Sequence, residues 1–200
     1  MTSRGQLLER AFGRPRGGIG RAGGAVMAWM NAPTERHTAA VAAPTGTERV
    51  LVLGPGPGIG LAAVARRAGL VIGVDPSEEM LAACRRRCAD AVAAGTVLLR
   101  RGGAESNPLD DASVDVVLSV NNLPLWTDRH AALAETFRVS RPGARLVLSA
   151  HQKWLPGSGD TLAAELEAAG FRDVRMWTWD PPRAPRAAQL AARVPDASGE

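Results

Sequence analysis

The sequence predicts an α/β chain in which a parallel sheet is covered by helices on both faces and preceded by a helical cap. Three observations carry this expectation. Apolar, β-branched runs recur at residues 49–53, 70–74, 114–120 and 145–150, and helix-patterned segments alternate with them, the order that generates parallel strands. The runs are apolar on both faces, as strands buried on both sides are. The first run breaks at once into Gly54-Pro55-Gly56-Pro57-Gly58, and the second ends in Asp75, about 20 residues beyond the first glycine, where doubly wound folds place a carboxylate on ribose hydroxyls. A glycine-rich turn alone is also what ordinary surface loops contain; the partner acid makes this one a nucleotide-site candidate.

The elements follow in order. Residues 1–45 form the expected cap, with helical stretches at 6–12 and 25–30 around an irregular basic segment at 14–18, and Pro44-Thr45-Gly46 separates it from a main domain over residues 46–200. The basic segment lacks the Gly-Lys-Ser/Thr ending of a P-loop, so its arginines are expected in solvent. Residues 50–53 make the first strand, and a helix resumes over 61–68. The second strand runs to Asp75. Ser77 caps a helix reaching about residue 94, with Glu78 and Glu79 in its favourable first turn. A third strand covers 96–99 and a fourth 114–120. A helix over 128–139 is stopped by Arg141-Pro142-Gly143, and a fifth strand covers 145–150. The last helix, 161–169, ends at Gly170, and strands at 171–179 and 187–193 form an antiparallel pair across Pro181-Pro182.

Composition narrows the classes. Two hundred residues with 46% hydrophobic content suffice for one domain with a sizeable core. No run approaches the roughly 20 apolar residues of a membrane helix, and no secretory h-region is present, so a cytoplasmic protein with no membrane partner is expected. The net charge of +4 is almost wholly arginine, Lys153 being the single lysine. No basic stripe with interleaved aromatics appears, so no nucleic-acid partner is expected. Cys84 and Cys88 stand four apart in a helix, a spacing that is neither a zinc nor a redox motif; they read as reduced thiols, and no metal site is expected.

Four blocks, taken together, resemble class I S-adenosylmethionine-dependent methyltransferases over residues 48–193: Val50-Leu51-Val52-Leu53-Gly54-Pro55-Gly56-Pro57-Gly58; Gly73-Val74-Asp75-Pro76-Ser77-Glu78-Glu79-Met80-Leu81; Ala104-Glu105 through Asp110-Asp111-Ala112-Ser113-Val114-Asp115-Val116-Val117; and Arg138-Val139-Ser140-Arg141-Pro142-Gly143-Ala144-Arg145-Leu146-Val147-Leu148. The glycine spacing, Gly-x-Gly-x-Gly rather than Gly-x-Gly-x-x-Gly, also disfavours NAD. The resemblance implies a Rossmann-like, doubly wound sheet of seven strands in the order 3-2-1-4-5-7-6, strand 7 antiparallel, with S-adenosyl-L-methionine as cofactor. It assigns Gly54, Pro55, Gly56 and Gly58 to the methionine end, Asp75 to the ribose, Pro76, Met80, Ala104 and Glu105 to the adenine region, and Ser119 and Asn121 to the amino acid end. Val52 and Gly103 stand where relatives often carry acids, each removing a polar contact.

Methyl transfer from a sulfonium is an in-line displacement that asks chiefly for alignment and exclusion of water. His151 and Asn121 are the catalytic candidates: His151 ends the fifth strand at the ligand edge, and Asn121 follows the fourth, where a polar side chain is costly unless satisfied. Trp29, Asn31, Asn122, Trp126 and His151 are the substrate-side candidates. The tryptophans read equally as filler between cap and core or as the wall of an apolar organic substrate's pocket. The expected activity is a methyltransferase acting on a small molecule, working as a monomer or homodimer. An NAD(P)-dependent oxidoreductase and a non-catalytic cofactor-binding or assembly protein are the alternatives.

Overall fold

The computed structural model describes residues 17–155 and 157–196, with side chains from residue 28. The expected stretch at 6–12 and the arginines at 14 and 16 lie outside the described residues. Strands β1 (Arg49–Leu53), β2 (Leu70–Asp75), β3 (Val97–Arg101), β4 (Val114–Val120), β5 (Ser140–His151), β6 (Arg172–Trp179) and β7 (Ala187–Arg193) form one sheet in the order β3-β2-β1-β4-β5-β7-β6. The first five pair in parallel, and β7 runs antiparallel to both β5 and β6. This is the seven-stranded order that the resemblance implied.

The period of two along each strand sorts the core into two layers. Leu51 and Leu53 of β1 face the same side as Val117 and Leu148, where helices α5 (Arg129–Val139) and α6 (Gly159–Ala168) bury Leu133, Leu162 and Leu166 and where Phe171 is fully enclosed. Val50 and Val52 face the other side with Val116, Leu118 and Val147, covered by Ala39 and Ala42 of helix α1 (Gly17–Ala42) and by Leu61 and Val64 of helix α2 (Ile59–Ala65). Both faces of the central strands are thus dry, which explains why their sequences are continuous apolar runs rather than alternating ones.

Several boundaries differ from expectation. Helix α1 is continuous across Pro33, and Gly17 and Gly18, expected to be irregular, are its first residues. Its last carbonyls, at Ala42 and Ala43, accept hydrogen bonds from the Arg145 guanidinium, which also pairs with Glu48 at 2.8 Å. Those bonds close the helix end that the sequence marked only by Pro44. Helix α2 starts two residues earlier than expected because Gly58 already turns into it, and ends at Ala65. The helix expected over 77–94 is two: α3 (Glu78–Arg87) and α4 (Ala89–Ala93), separated at Cys88 by a non-helical φ/ψ of −112°/30°. Ser77 caps α3 as expected, its hydroxyl accepting from the Met80 N–H at 3.4 Å. Arg141-Pro142-Gly143 lies within β5 rather than before it. The register jumps from Val114–Ser140 to Val116–Arg145, so these residues bulge out of the ladder, with Gly143 at φ 76° donating to the Val194 carbonyl at 3.1 Å.

Phe171 meets Phe137 edge-on with ring centroids 5.4 Å apart beneath the end of α6. Phe171→Ala should lower the unfolding free energy by about 3–5 kcal/mol in a urea titration, with the slope unchanged, since truncating this fully buried aromatic leaves a cavity in the core.

Candidate active site at the carboxyl edge of the sheet

The chain leaves β1 at Leu53 and enters α2 at Ile59, and the turn between them needs three backbone conformations that only glycine adopts freely: φ is 61° at Gly54, 53° at Gly56 and 85° at Gly58. The turn is held from behind by four bonds from three elements, β2, α3 and α1. The Gly54 N–H donates to the Val74 carbonyl at 2.9 Å, the Cys84 thiol to the Gly56 carbonyl at 3.1 Å, and the Arg87 Nε to the Pro57 carbonyl at 2.8 Å. Glu35, from α1, accepts from the Gly60 N–H at 2.6 Å. Burial pushes the Cys84 thiol up to about 12, so it stays protonated and can donate, and burial raises Glu35 to about 7 against the opposing pull of the Gly60 N–H and of Arg87 and Arg36.

In front of the turn lies a cleft. Its floor is Leu53, Gly54 and Gly56; one wall is Asp75, Pro76 and Met80, the other Gly102, Gly103, Ala104 and Glu105, and Asn122, Leu125 and Trp126 close the end beyond β4. Asp75 is 6% exposed and its carboxylate accepts from the Ser77 N–H at 2.8 Å. Burial is the dominant influence and lifts it to about 6, with the Ser77 and Gly56 N–H groups pulling the other way. Glu105 is committed to its own surroundings, accepting from the Thr127 N–H at 2.7 Å and fixing the loop that carries Trp126.

The cleft thus brings together Gly54, Gly56, Asp75, Pro76, Met80, Ala104, Glu105, Asn122 and Trp126. Other candidates stand elsewhere. Pro55 and Gly58 shape the turn from outside it: the Pro55 ring lies behind β2 at Gly73, and Gly58 sits against Cys84. Ser119 is buried in β4, its hydroxyl donating to the Leu53 carbonyl at 3.2 Å. Trp29 is 58% exposed on the outer surface of α1 under the Arg183 guanidinium, 4.6 Å from the ring centre, so it does not reach the cleft. Asn31, Asn121 and His151 form a second constellation. The His151 Nδ1 lies 3.2 Å from the Pro185 carbonyl and its Nε2 lies 3.0 Å from the Asn31 carboxamide, while the Asn121 Oδ1 accepts from the His151 backbone N–H at 3.1 Å. Both facing atoms are oxygens, the Pro185 carbonyl and the Asn31 Oδ1; the backbone carbonyl can only accept, so a neutral imidazole carries its proton on Nδ1, and Nε2 is the acceptor once the Asn31 carboxamide presents its nitrogen instead. Burial depresses the His151 pKa below the usual histidine value, which keeps the ring neutral. Asn121 adopts φ 58° to make its contact, and its Nδ2 is buried without a partner.

Sequence reasoning missed Glu35, Arg87 and Gly102. Gly102 lies directly before the doubtful Gly103, but nothing local marks Glu35 or Arg87, whose partners stand 25 and 30 residues away.

A strand-glycine turn-helix with a buried acid ending the next strand, at the point where the order of a doubly wound sheet reverses, defines a nucleotide-cofactor site. The comparisons narrow this class. The sequence profile of a methyltransferase domain matches residues 51–148. An uncharacterized methyltransferase of Bacillus subtilis (strain 168), YdaC, is 29% identical over 160 residues, covering 76% of this chain and 86% of its own. An uncharacterized methyltransferase of Mycobacterium tuberculosis (strain ATCC 25618 / H37Rv) is 44% identical over 105 residues, covering 52% of this chain and 40% of its own, so the chain spans less than half of that relative. Among solved structures, a Haemonchus contortus phosphoethanolamine N-methyltransferase 2 shares the fold with a TM-score of 0.76 at 16% identity, covering 98% of this chain and 61% of its own. The chain carries a methyltransferase domain over residues 51–148, and its cofactor is S-adenosylmethionine.

Gly58→Ala should destabilise the fold by roughly 2 kcal/mol or more, because a side chain at positive φ costs about 1–2 kcal/mol and the new Cβ would lie 3.2 Å from the Cys84 backbone. Thermal melting of ligand-free protein measures it. An unchanged Tm would mean that the turn relaxes.

Proposed function

We propose that the chain transfers the methyl group of S-adenosylmethionine to a small, apolar organic molecule, working in the cytoplasm as a monomer or homodimer, with residues 1–45 capping the domain formed by 46–200. The observation that carries this reading is the cleft itself: a buried carboxylate, a glycine turn with free front and an apolar end wall at Leu125 and Trp126 are combined in one space. Asp75 would accept hydrogen bonds from the ribose hydroxyls, Pro76 and Met80 would pack on adenine, and the turn would lie along the methionine end. When bound, the cofactor supplies an electrophilic methyl carbon on a positively charged sulfur. The protein's task is then to align the acceptor, exclude water and, for an acceptor that must lose a proton, take it up. His151 Nε2 is the acceptor best prepared for that, being neutral and held by Pro185, and it becomes accessible when the Asn31 carboxamide turns away. Trp126 and Leu125 would hold an apolar acceptor at the end wall. No helix among the described residues is long and apolar enough to cross a membrane.

Calorimetry with S-adenosylhomocysteine and with NAD(H) and NADP(H) tests the cofactor preference; tighter binding of a dinucleotide would sink the reading. Asp75→Ala should weaken S-adenosylhomocysteine by about 1.5–3 kcal/mol, the range for bonds to a charged group. The sign of the pH dependence follows from the raised Asp75. In the ligand-free fold this group favours folding at low pH, and that contribution is lost as pH rises from 3.8 to about 6. Ribose hydroxyls need the ionised carboxylate, so affinity should be full above pH 6 and fall by up to about tenfold per unit below it; Asp75→Asn should remove that dependence. Incubation of the protein with cofactor carrying a labelled methyl group and size-fractionated cell extract would then show whether the label enters small molecules.

The cap makes its own prediction. Limited proteolysis should remove residues 1–31 more slowly when S-adenosylhomocysteine is present, and deletion through Asn31 should reduce methyl transfer far more than it lowers Tm, since Ala32, Ala39 and Ala42 stay buried on the sheet. Equal cleavage rates with and without ligand, and unchanged affinity of the trimmed protein, would make the segment a tail.

A further inference from the structure

At the edge of the cleft the Asn122 carboxamide nitrogen lies 2.8 Å from the Gly54 carbonyl and 3.1 Å from each of the Leu53 and Val120 carbonyls. Every neighbour is an acceptor, so the nitrogen, not the oxygen, must point inward. The side chain rests directly on Gly54, so that a Cβ there would overlap all three carboxamide atoms. Three acceptors converge on a group with two hydrogens, and the Leu53 carbonyl takes a further bond from the Ser119 hydroxyl at 3.2 Å. The better match for three converging carbonyl oxygens is an ammonium, which brings three N–H donors and a positive charge; such charge-assisted bonds are about twice as strong as neutral ones.

We propose that Asn122 is a displaceable plug: its carboxamide occupies the place of the cofactor's α-ammonium group in the free protein and must swing out for the amino acid end to bind. The proposal rests on S-adenosylmethionine as cofactor and adds a role for this residue opposite to that of an ordinary contact. Asn122 opens the short 3-10 turn Leu123–Leu125, whose Leu125 and Trp126 line the same cleft, and its own carbonyl accepts from the Leu125 N–H at 2.7 Å. Withdrawal of the side chain is therefore felt at the end wall, so that filling the amino acid subsite and shaping the acceptor side are linked. The side chain also gives the Gly54 and Val120 carbonyls a donor when no ligand is bound, the Leu53 carbonyl having the Ser119 hydroxyl as well.

Removing the plug should tighten binding. With the open arrangement populated about 10% of the time, Asn122→Ala raises affinity for S-adenosylhomocysteine by about tenfold, while 5′-methylthioadenosine, which has the nucleoside but no ammonium, binds both forms equally. Calorimetry with both ligands reads this, after circular dichroism and a thermal melt establish that the variant is folded. In the unsubstituted protein, the Asn122 side-chain amide gives an independent readout by nitrogen-15 correlation spectroscopy. Its hydrogens should exchange slowly with solvent in the free state, become fast on addition of S-adenosylhomocysteine, and stay slow with 5′-methylthioadenosine. Weaker or unchanged S-adenosylhomocysteine binding by folded Asn122→Ala, or an amide that stays protected in the complex, would overturn the plug while leaving the cofactor assignment intact. Failure of the unsubstituted protein to bind either ligand would overturn both.

Discussion

The backbone between Leu53 and Ile59 has to reverse direction in a handful of residues while leaving one side open, and the rest of the molecule is arranged to make that tenable. Its glycines supply the positive φ values, but a chain with such freedom would cost entropy to order unless it were held. The holding groups come from β2, α3 and α1, and each engages a turn or helix-start polar group from the rear: Val74 takes the Gly54 N–H, Cys84 and Arg87 give to the Gly56 and Pro57 carbonyls, and Glu35 takes the Gly60 N–H. Ligand-facing positions are thereby left to the cleft. A thiol is suited to the tight space beside Gly58, and its raised pKa fixes it as a donor rather than a charge.

Sheet order does the remaining placement. β1 lies between β2 and β4, so the carboxyl ends of three neighbouring strands, with the segments that follow them, converge on one edge: the glycine turn after β1, Asp75 at the end of β2 and Asn122 after β4. Because both faces of these strands are covered, the edge is where backbone carbonyls emerge from the ladder and where polar chemistry can be concentrated without burying unpaired groups. Asp75 shows the cost of that concentration. Its carboxylate is nearly enclosed, two N–H groups support it, and it still holds its proton up to about pH 6.

The legible part of this architecture was the part written in local pattern. Strands β4 and β7 lie where their apolar runs placed them, the cap at Ser77 is read directly from side-chain chemistry, and the glycine turn and Asp75 are recognisable by spacing. Errors arose where tertiary contacts override local signals. Arg141-Pro142-Gly143 reads as a stop, yet the sheet absorbs it as a bulge because Gly143 can bond to the chain beyond β7. Gly17 and Gly18 read as irregular, yet they open α1, which runs on through Pro33 to Ala42 and is held by the burial of Ala32, Thr34, Thr38 and Ala39. The candidate site divided in the same way. Gly54, Gly56, Asp75, Pro76 and Met80 fall in the cleft, whereas Pro55 and Gly58 shape the turn from outside it, Ser119 is buried in β4 and Asn121 turns to His151.

Helix α1 links these two groups of residues. Asn31 and Glu35 stand four apart and so project from one face, and they meet different sides of the site: Asn31 covers the His151 imidazole at the end of β5, and Glu35 holds the first turn of α2 behind the glycines. A rigid helix cannot shift at one contact without straining the other. The same face continues into Ala39 and Ala42, which are packed on the central strands, so the fixed end of the lever is the core and the free end is toward Asn31. Exposure of the histidine and the grip on the glycine turn are therefore parts of one mechanical unit.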